Sequence, residues 1–129
     1  MANKGEVVLY RKYFEMIKLL NVYLNHFPKH EKYALAGRIR DNAYEVYDLI
    51  VECQKRYYKK TTLTQLDVSH EKLRMQLYLA NELGYFNYKD GRLGSVKPNR
   101  YLSISRLIDE IGKLIGAWMV KLKQDGNFK

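Results

Sequence analysis

The sequence has few of the residues that interrupt helices or cross-link chains. Only two of its 129 residues are proline, Pro28 and Pro98, and both lie between segments of helical periodicity. Cys53 is the single cysteine, so no disulfide can form within the chain. No window approaches the ~18–20 apolar residues of a transmembrane helix, and MANKGEVVLY lacks the apolar stretch of a signal peptide. We therefore expect a helical, soluble, cytoplasmic protein without a membrane partner.

The sequence also lacks the residue patterns of common active sites. His26, His30 and His70 do not have metal-ligand spacing, and GRLGS lacks the Gly-Lys-Ser/Thr ending of a phosphate loop. His70 and Cys53 fall on apolar helix seams, which predicts a hydrogen-bonded histidine and a buried thiol. A row of acidic residues on the second segment predicts a solvated face: Asp41, Glu45, Asp48 and Glu52. We predict that the protein is not an enzyme and has no metal or cofactor.

Four segments carry the periodicity of amphipathic helices. Apolar residues recur every three or four positions in each segment, as on one face of an α-helix. The segments cover about 6–25, 32–58, 62–83 and 97–123. Asp90-Gly91 and Gly94-Ser95 are turn signals in the longest connection, and Gly84 is placed to end the third helix. The pattern predicts an all-α, up-down-up-down four-helix bundle in a single domain, 1–129.

Two glycines interrupt the fourth segment. Gly112 and Gly116 each cost a helix interior roughly 1 kcal/mol relative to alanine. With Ser105 and Asp109 they form a mostly small stripe beside the apolar seam. Because a missing side chain lets a second backbone approach, the stripe predicts close packing. The neighbour is either another helix of the bundle or a second subunit.

Positive charge is in clear excess, with 23 Lys and Arg against 14 Asp and Glu. Such a domain often binds nucleic acid or an anionic membrane, and a well-solvated surface is the alternative. The densest run, CQKRYYKKTT, interleaves Tyr57 and Tyr58 with four cations: Lys55, Arg56, Lys59 and Lys60. Cations and aromatics in such a run can hold phosphates and stack on exposed bases. Helix capping by one or two of the cations is the competing interpretation.

The predicted topology enlarges this basic cluster. In an up-down bundle both chain ends and the second connection lie at the same end of the molecule. We therefore predict that one end gathers much of the positive charge and binds nucleic acid. The cations assigned to it are Lys4, Arg11, Lys12, Lys55, Arg56, Lys59, Lys60, Lys121, Lys123 and Lys129.

Three stretches of the sequence resemble a known family: FPKHEKYALAGRIRDNAYEVYDLI, LRMQLYLANELGYFN and YLSISRLIDEIGKLIGAWM. They are similar to bacterial four-helix-bundle proteins that include the accessory variability determinant (Avd) proteins of diversity-generating retroelements. Relatives encoded in intervening sequences of ribosomal-RNA genes belong to the same group. The resemblance covers about Tyr10 to Lys123. Its most specific part is an L-x-D-E-I-G-x-x-x-G-x-W ending, matched by Leu107, Asp109, Glu110, Ile111, Gly112, Gly116 and Trp118.

The resemblance implies a non-catalytic partner of the retroelement's reverse transcriptase. Such proteins are basic homopentamers that bind nucleic acid and support mutagenic complementary-DNA synthesis from the template-repeat RNA. Preference for RNA or DNA stays open, as do two other functions: a ribosomal-RNA intervening-sequence protein of obscure role, and a helical module that only self-associates.

The third helix of the family often reads L-R-x-x-L-R-L-A. Leu73-Arg74 matches its first half, whereas Tyr78 stands at the second arginine. The resemblance therefore assigns a nucleic-acid-binding role to Arg74 and none to Tyr78 as a cation. An ion pair between Arg74 and Glu71 is the alternative.

Overall fold

Four long helices make up most of the structure, a computed structural model that describes residues 4–94 and 99–129. Every predicted helix bound lies within three residues of the observed one. Ser95, in a predicted turn, and Lys97, at the predicted start of the last helix, lie outside the described residues, as does the side chain of Lys4. The helices are α1 (Lys4–Asn25), α2 (Leu35–Lys55), α3 (Lys60–Glu82) and α4 (Arg100–Gln124).

The helices form the predicted all-α, up-down-up-down bundle. Each helix packs against the next one, and α4 returns to pack against α1. Between α1 and α2, the hydroxyl of buried Tyr13 donates to the Ala43 carbonyl, and burial raises the pKa of Tyr13 above its usual value. Between α1 and α4, Lys12 Nζ lies 2.9 Å from Glu110 Oε2.

The predicted apolar seams meet in one buried cluster. Its side chains come from all four helices at the three- and four-residue spacings seen in the sequence. This burial, rather than helix propensity, supplies most of the stability of such helices. Members of the cluster are Leu9, Met16, Leu20, Ile39, Val46, Ile50, Cys53, Leu63, Leu66, Leu73, Leu77, Ile104, Ile108, Ile111, Ile115 and Trp118.

A small hairpin lies in the connection between α3 and α4. Gly84, with φ of 78°, follows the end of α3 in the left-handed conformation expected of a helix-ending glycine. Strands β1 (Tyr88–Lys89) and β2 (Arg92–Leu93) pair antiparallel. Asp90 and Gly91 join them with φ of 53° and 78°, the left-handed pair of a two-residue hairpin turn. The turn signal was predicted from the sequence, whereas the strand ladder was not.

Lys59 holds the corner between α2 and α3. Its ammonium group donates hydrogen bonds to the carbonyls of Cys53, Gln54 and Arg56 at 2.5, 3.0 and 2.8 Å. Cys53 and Gln54 belong to the last turn of α2, where helical partners run out, and Arg56 is the C-cap residue that follows it. The backbone of Lys59 is the N-cap of α3. The first amide of that helix, Lys60 N–H, donates to the Lys129 carbonyl at 2.7 Å.

Gly112 accommodates a histidine ring from α3. His70 is only 5% exposed, and its Nε2 lies 2.8 Å from the Ile108 carbonyl, one turn before Gly112. A Cβ at Gly112 would lie 2.9 Å from His70 Cε1. The close approach predicted for Gly112 is therefore present, but a side chain makes it rather than a backbone.

Gly116 has a different environment. A Cβ built there would meet no described atom within 4 Å. Packing inside the bundle therefore does not explain this glycine. A role in a subunit interface stays a prediction.

The two glycines form a matched pair for mutation. Gly112→Ala should destabilise the protein by roughly 1–3 kcal/mol, because the new methyl group displaces a hydrogen-bonded ring in a packed site. Gly116→Ala should stabilise it by up to about 1 kcal/mol, since alanine is the better helix former. Thermal and urea unfolding measure both changes. In a His70→Ala background the cost of Gly112→Ala should largely disappear, and an unchanged cost would contradict the steric explanation.

Lys59 should contribute to stability far more than a neighbouring exposed lysine. Lys59→Met keeps most of the apolar stem but removes three charge-assisted hydrogen bonds, so we expect a loss of about 1.5–3 kcal/mol. Lys55→Met removes the same charge from an exposed position and should change stability by at most about 0.5 kcal/mol. Urea unfolding compares the two. Equal effects would show that Lys59 acts only through its charge.

Candidate nucleic-acid interface

One end of the bundle gathers exposed cations, as the topology predicted. The start of α1, the end of α2, the start of α3, the end of α4 and the C-terminal residues meet there. We call the cations of this end the basic end: Lys55, Arg56, Lys59, Lys60, Lys121, Lys123 and Lys129. All of them except Lys59 are exposed. Carboxylate side chains near the basic end are those of Glu6, Glu52 and Asp125.

The four cations of the predicted cluster are not equivalent. Lys59 uses its three N–H donors on backbone carbonyls, so the helix-capping interpretation describes it. Arg56 pairs with Glu52, with Nη2 2.9 Å from Oε1 and both side chains about half exposed. Exposed pairs of this kind contribute about 0–1 kcal/mol, so a phosphate can replace the carboxylate at little cost. Lys55 and Lys60 extend into solvent at the two sides of the corner.

The C-terminal residues fold back over the basic end. Gly126, with φ of 71°, turns the chain after α4, and Asn127 N–H donates to the Leu122 carbonyl at 2.8 Å. The ring of Phe128 then lies near two ammonium groups: Nζ of Lys123 is 5.0 Å from its centroid and Nζ of Lys60 is 6.0 Å. This fold places cations of α3 and α4 side by side.

Two exposed tyrosines occupy the corner itself. Tyr57 is 87% exposed and Tyr58 is 63% exposed. Their rings meet edge to face, with centroids 4.8 Å apart. A cleft of about 230 Å³ separates them from the C-terminal residues, and its walls are Tyr57, Tyr58, Lys59, Leu122, Asn127 and Lys129. The sequence identified the tyrosines but not the opposite wall, because no local pattern shows where residues after a helix fold.

Arg11 and Lys12 do not join the basic end, contrary to the prediction. They lie about 12 Å along α1 from its start, at a rise of 1.5 Å per residue. Lys12 pairs with Glu110 of α4 at 2.9 Å and with Glu15 at 3.9 Å. The hydrogen bond that Lys12 donates to Glu110 raises the pKa of Lys12. Arg11 is exposed on the α1 surface. The prediction was wrong because it treated residues 11 and 12 as part of the chain start, whereas α1 is 22 residues long and carries them away from its end.

Arg74 lies on a separate surface, midway along α3. Its Nε donates to Glu71 Oε1 at 2.9 Å, and Nη2 donates to the same oxygen, so the intrahelical pair named as the alternative is present. The hydrogen bond from Arg74 lowers the pKa of Glu71, and the carboxylate raises that of Arg74. Arg74 lies about 21 Å from the start of α3 by helical rise. Its exposed pair with Glu71 resembles that of Arg56 with Glu52, so Arg74 differs from the basic end in its position rather than in its pairing.

Two other kinds of site are absent from the described residues. Within residues 4–94 and 99–129, no group of three His, Cys, Asp or Glu side chains could hold a metal ion. No described helix is long and apolar enough to cross a bilayer. Burial raises the pKa of the Cys53 thiol to about 11, so this thiol is protonated at neutral pH and is a poor nucleophile.

Comparison with known proteins agrees with the bundle and with the sequence resemblance. A scan against protein-family models matches residues 7–122 to the family described as bAvd-like. A search of curated proteins found no match. The matched range includes the whole of α2 and α3, most of α1 and α4, and the glycine-containing ending that carried the resemblance. The chain therefore belongs to the bAvd-like family.

Proposed function

We propose that the protein is a non-catalytic accessory protein of a diversity-generating retroelement, in which it binds nucleic acid and partners the reverse transcriptase in mutagenic complementary-DNA synthesis. Family membership supports the retroelement role. The observation that carries nucleic-acid binding is the basic end, where exposed lysines from α2, α3, α4 and the C-terminal residues converge. Template-repeat RNA and DNA are the proposed ligands.

The chemistry of the basic end fits a phosphate backbone. Lysine ammonium groups on flexible stems neutralise phosphates without reading base sequence. Binding of this kind releases counterions and weakens steeply with salt, with a log–log slope of about −0.7 per contacted phosphate for single strands. We therefore expect weakly sequence-dependent binding to RNA and to DNA.

A homopentamer is the proposed assembly. Its support is the family, together with two apolar stripes that the single chain leaves half exposed. Apolar side chains exposed together can mark an interaction surface. The stripe on α1 and α2 consists of Val7, Phe14, Tyr44 and Val51. The stripe on α3 consists of Val68, Met75 and Leu79, together with Leu83 directly after the helix. Assembly around an axis would bring several basic ends together and strengthen their field.

The basic end should govern affinity and its salt dependence. A triple variant, Lys55→Gln, Arg56→Gln and Lys60→Gln, should weaken binding to a single-stranded oligonucleotide and flatten the salt slope. Lys59 is left in place because it caps α2. The charge-matched control changes exposed cations at the other end: Lys32→Gln, Lys89→Gln and Arg92→Gln. Fluorescence anisotropy across a salt series compares the two sets.

Two outcomes would contradict this assignment. Equal weakening by both triple variants would show that net charge alone drives binding. If the basic-end variant binds normally while Arg74→Ala abolishes binding, the functional surface runs along α3.

The assembly prediction has a direct readout. Size-exclusion chromatography with light scattering should give a mass of about five times 15.3 kDa. A monomer at micromolar concentrations would contradict the proposed pentamer.

Gene neighbourhood separates this function from the ribosomal-RNA intervening-sequence alternative. A reverse-transcriptase gene with paired template and variable repeats beside the coding sequence would support the retroelement role. A location inside a ribosomal-RNA gene would overturn it.

A further inference from the structure

The cleft at the α2–α3 corner is lined by two segments of the chain. One wall is the pair Tyr57 and Tyr58, and the other is formed by Leu122, Asn127 and Lys129. Its volume of about 230 Å³ is below the roughly 300–1,000 Å³ of clefts that hold drug-sized ligands. The cleft therefore suits a ligand group of the size of one flat ring system.

Both walls are fixed before any ligand arrives. The three hydrogen bonds of Lys59 hold the chain on which the tyrosines stand. The opposite wall is held by the bonds from Asn127 N–H to the Leu122 carbonyl and from Lys60 N–H to the Lys129 carbonyl. A site that is already ordered loses little conformational entropy on binding.

The walls of the cleft combine aromatic and apolar surface with a polar amide and nearby cations. The tyrosine rings and Leu122 provide flat or apolar surface. Among the described residues none hydrogen-bonds to the side-chain amide of Asn127, which leaves one donor group and one acceptor free. Lys60 and Lys123 lie close by, with their ammonium groups 6.0 and 5.0 Å from the ring centroid of Phe128. An aromatic surface, a free amide and flanking cations match a nucleobase with its neighbouring phosphates.

We propose that this corner cleft binds one unpaired nucleobase of a single-stranded segment, which stacks on Tyr57 or Tyr58. The proposal rests on the proposed function and adds a selectivity to it. Bases within a duplex are stacked and paired, so they cannot enter the corner cleft without being extruded from the duplex. Phosphate contacts by lysines alone would not give this preference for unpaired nucleic acid.

An anionic membrane is the other macromolecular surface that tyrosines and lysines suit. The geometry favours the nucleobase, because the tyrosine rings meet edge to face and line a cleft together with Lys59, Asn127 and Lys129 instead of forming a flat apolar face. The polar Asn127 wall also fits a base edge better than lipid chains.

The test compares a ring-removing variant with a ring-keeping one. Tyr57→Leu with Tyr58→Leu should lower affinity for a single-stranded oligonucleotide roughly 5- to 100-fold, the range for loss of one stacked base. Tyr57→Phe with Tyr58→Phe should bind as the unmodified protein does. Affinity for a duplex of equal length and the salt slope should not change in either variant, since no phosphate contact is lost. Fluorescence anisotropy measures the two affinities and the salt slope for each variant.

A matched control comes from the opposite end of the bundle. Tyr33 is 91% exposed, and Lys32 Nζ lies 5.5 Å from its ring centroid, so it is also an exposed tyrosine beside a lysine. Tyr33→Leu should leave binding unchanged. An oligonucleotide with abasic sites, which keeps the phosphates and lacks the bases, should bind the unmodified protein roughly 5- to 100-fold more weakly than the normal strand does. This second measurement holds even if the leucine variant fails to fold.

The outcomes separate the base cleft from the proposed function. No binding to any oligonucleotide would overturn both proposals. Equal affinity for single strands, duplexes and abasic strands would overturn the base cleft and leave phosphate binding by the basic end intact. If vesicles containing anionic lipid bind and lose affinity in the leucine variant, while oligonucleotide binding is unaffected, the corner docks on a membrane and the base cleft is wrong.

Discussion

Three hydrogen bonds from the Lys59 ammonium group fix the part of the molecule on which the functional proposal depends. They end α2 through its last carbonyls, while the backbone of the same residue starts α3. The tyrosines of the corner are placed by this arrangement, and the C-terminal residues complete it by accepting the first amide hydrogen of α3. A cation that looks like a ligand in the sequence is therefore structural, and its exposed neighbours are the ones proposed to bind nucleic acid.

The fold was largely predictable because its information is local. Burial in a helix recurs every three or four residues, so the seams could be read from the spacing of apolar side chains, and Gly84 and Asp90-Gly91 have conformations that few residues adopt. The glycine at position 112 was recognisable as a close-approach site for the same reason. Its partner was not, because the position of His70 opposite Ile108 depends on the register of two helices, and the two residues are 38 positions apart in the chain.

For the candidate site, the sequence predicted the types of residue involved but not the role of each one. Four cations in the run from Lys55 to Lys60 look alike in sequence, yet one caps a helix, one pairs with a carboxylate and two extend into solvent. Arg74 and Lys12 likewise have carboxylate partners that the structure shows. Whether a lysine is available for a phosphate depends on such partners, and the far wall of the corner cleft depends on how the last residues fold. Neither can be read from residue spacing.

The central claim is that nucleic acid meets the protein at the basic end. Photochemical cross-linking of a single-stranded oligonucleotide that carries a photoreactive base, followed by mass spectrometry of the peptides, locates the contact without any mutation. The account predicts cross-links within residues 53–62 and 121–129, the two segments that form the corner and its opposite wall. Cross-links centred on α3 around Arg74, with none in those two segments, would contradict it.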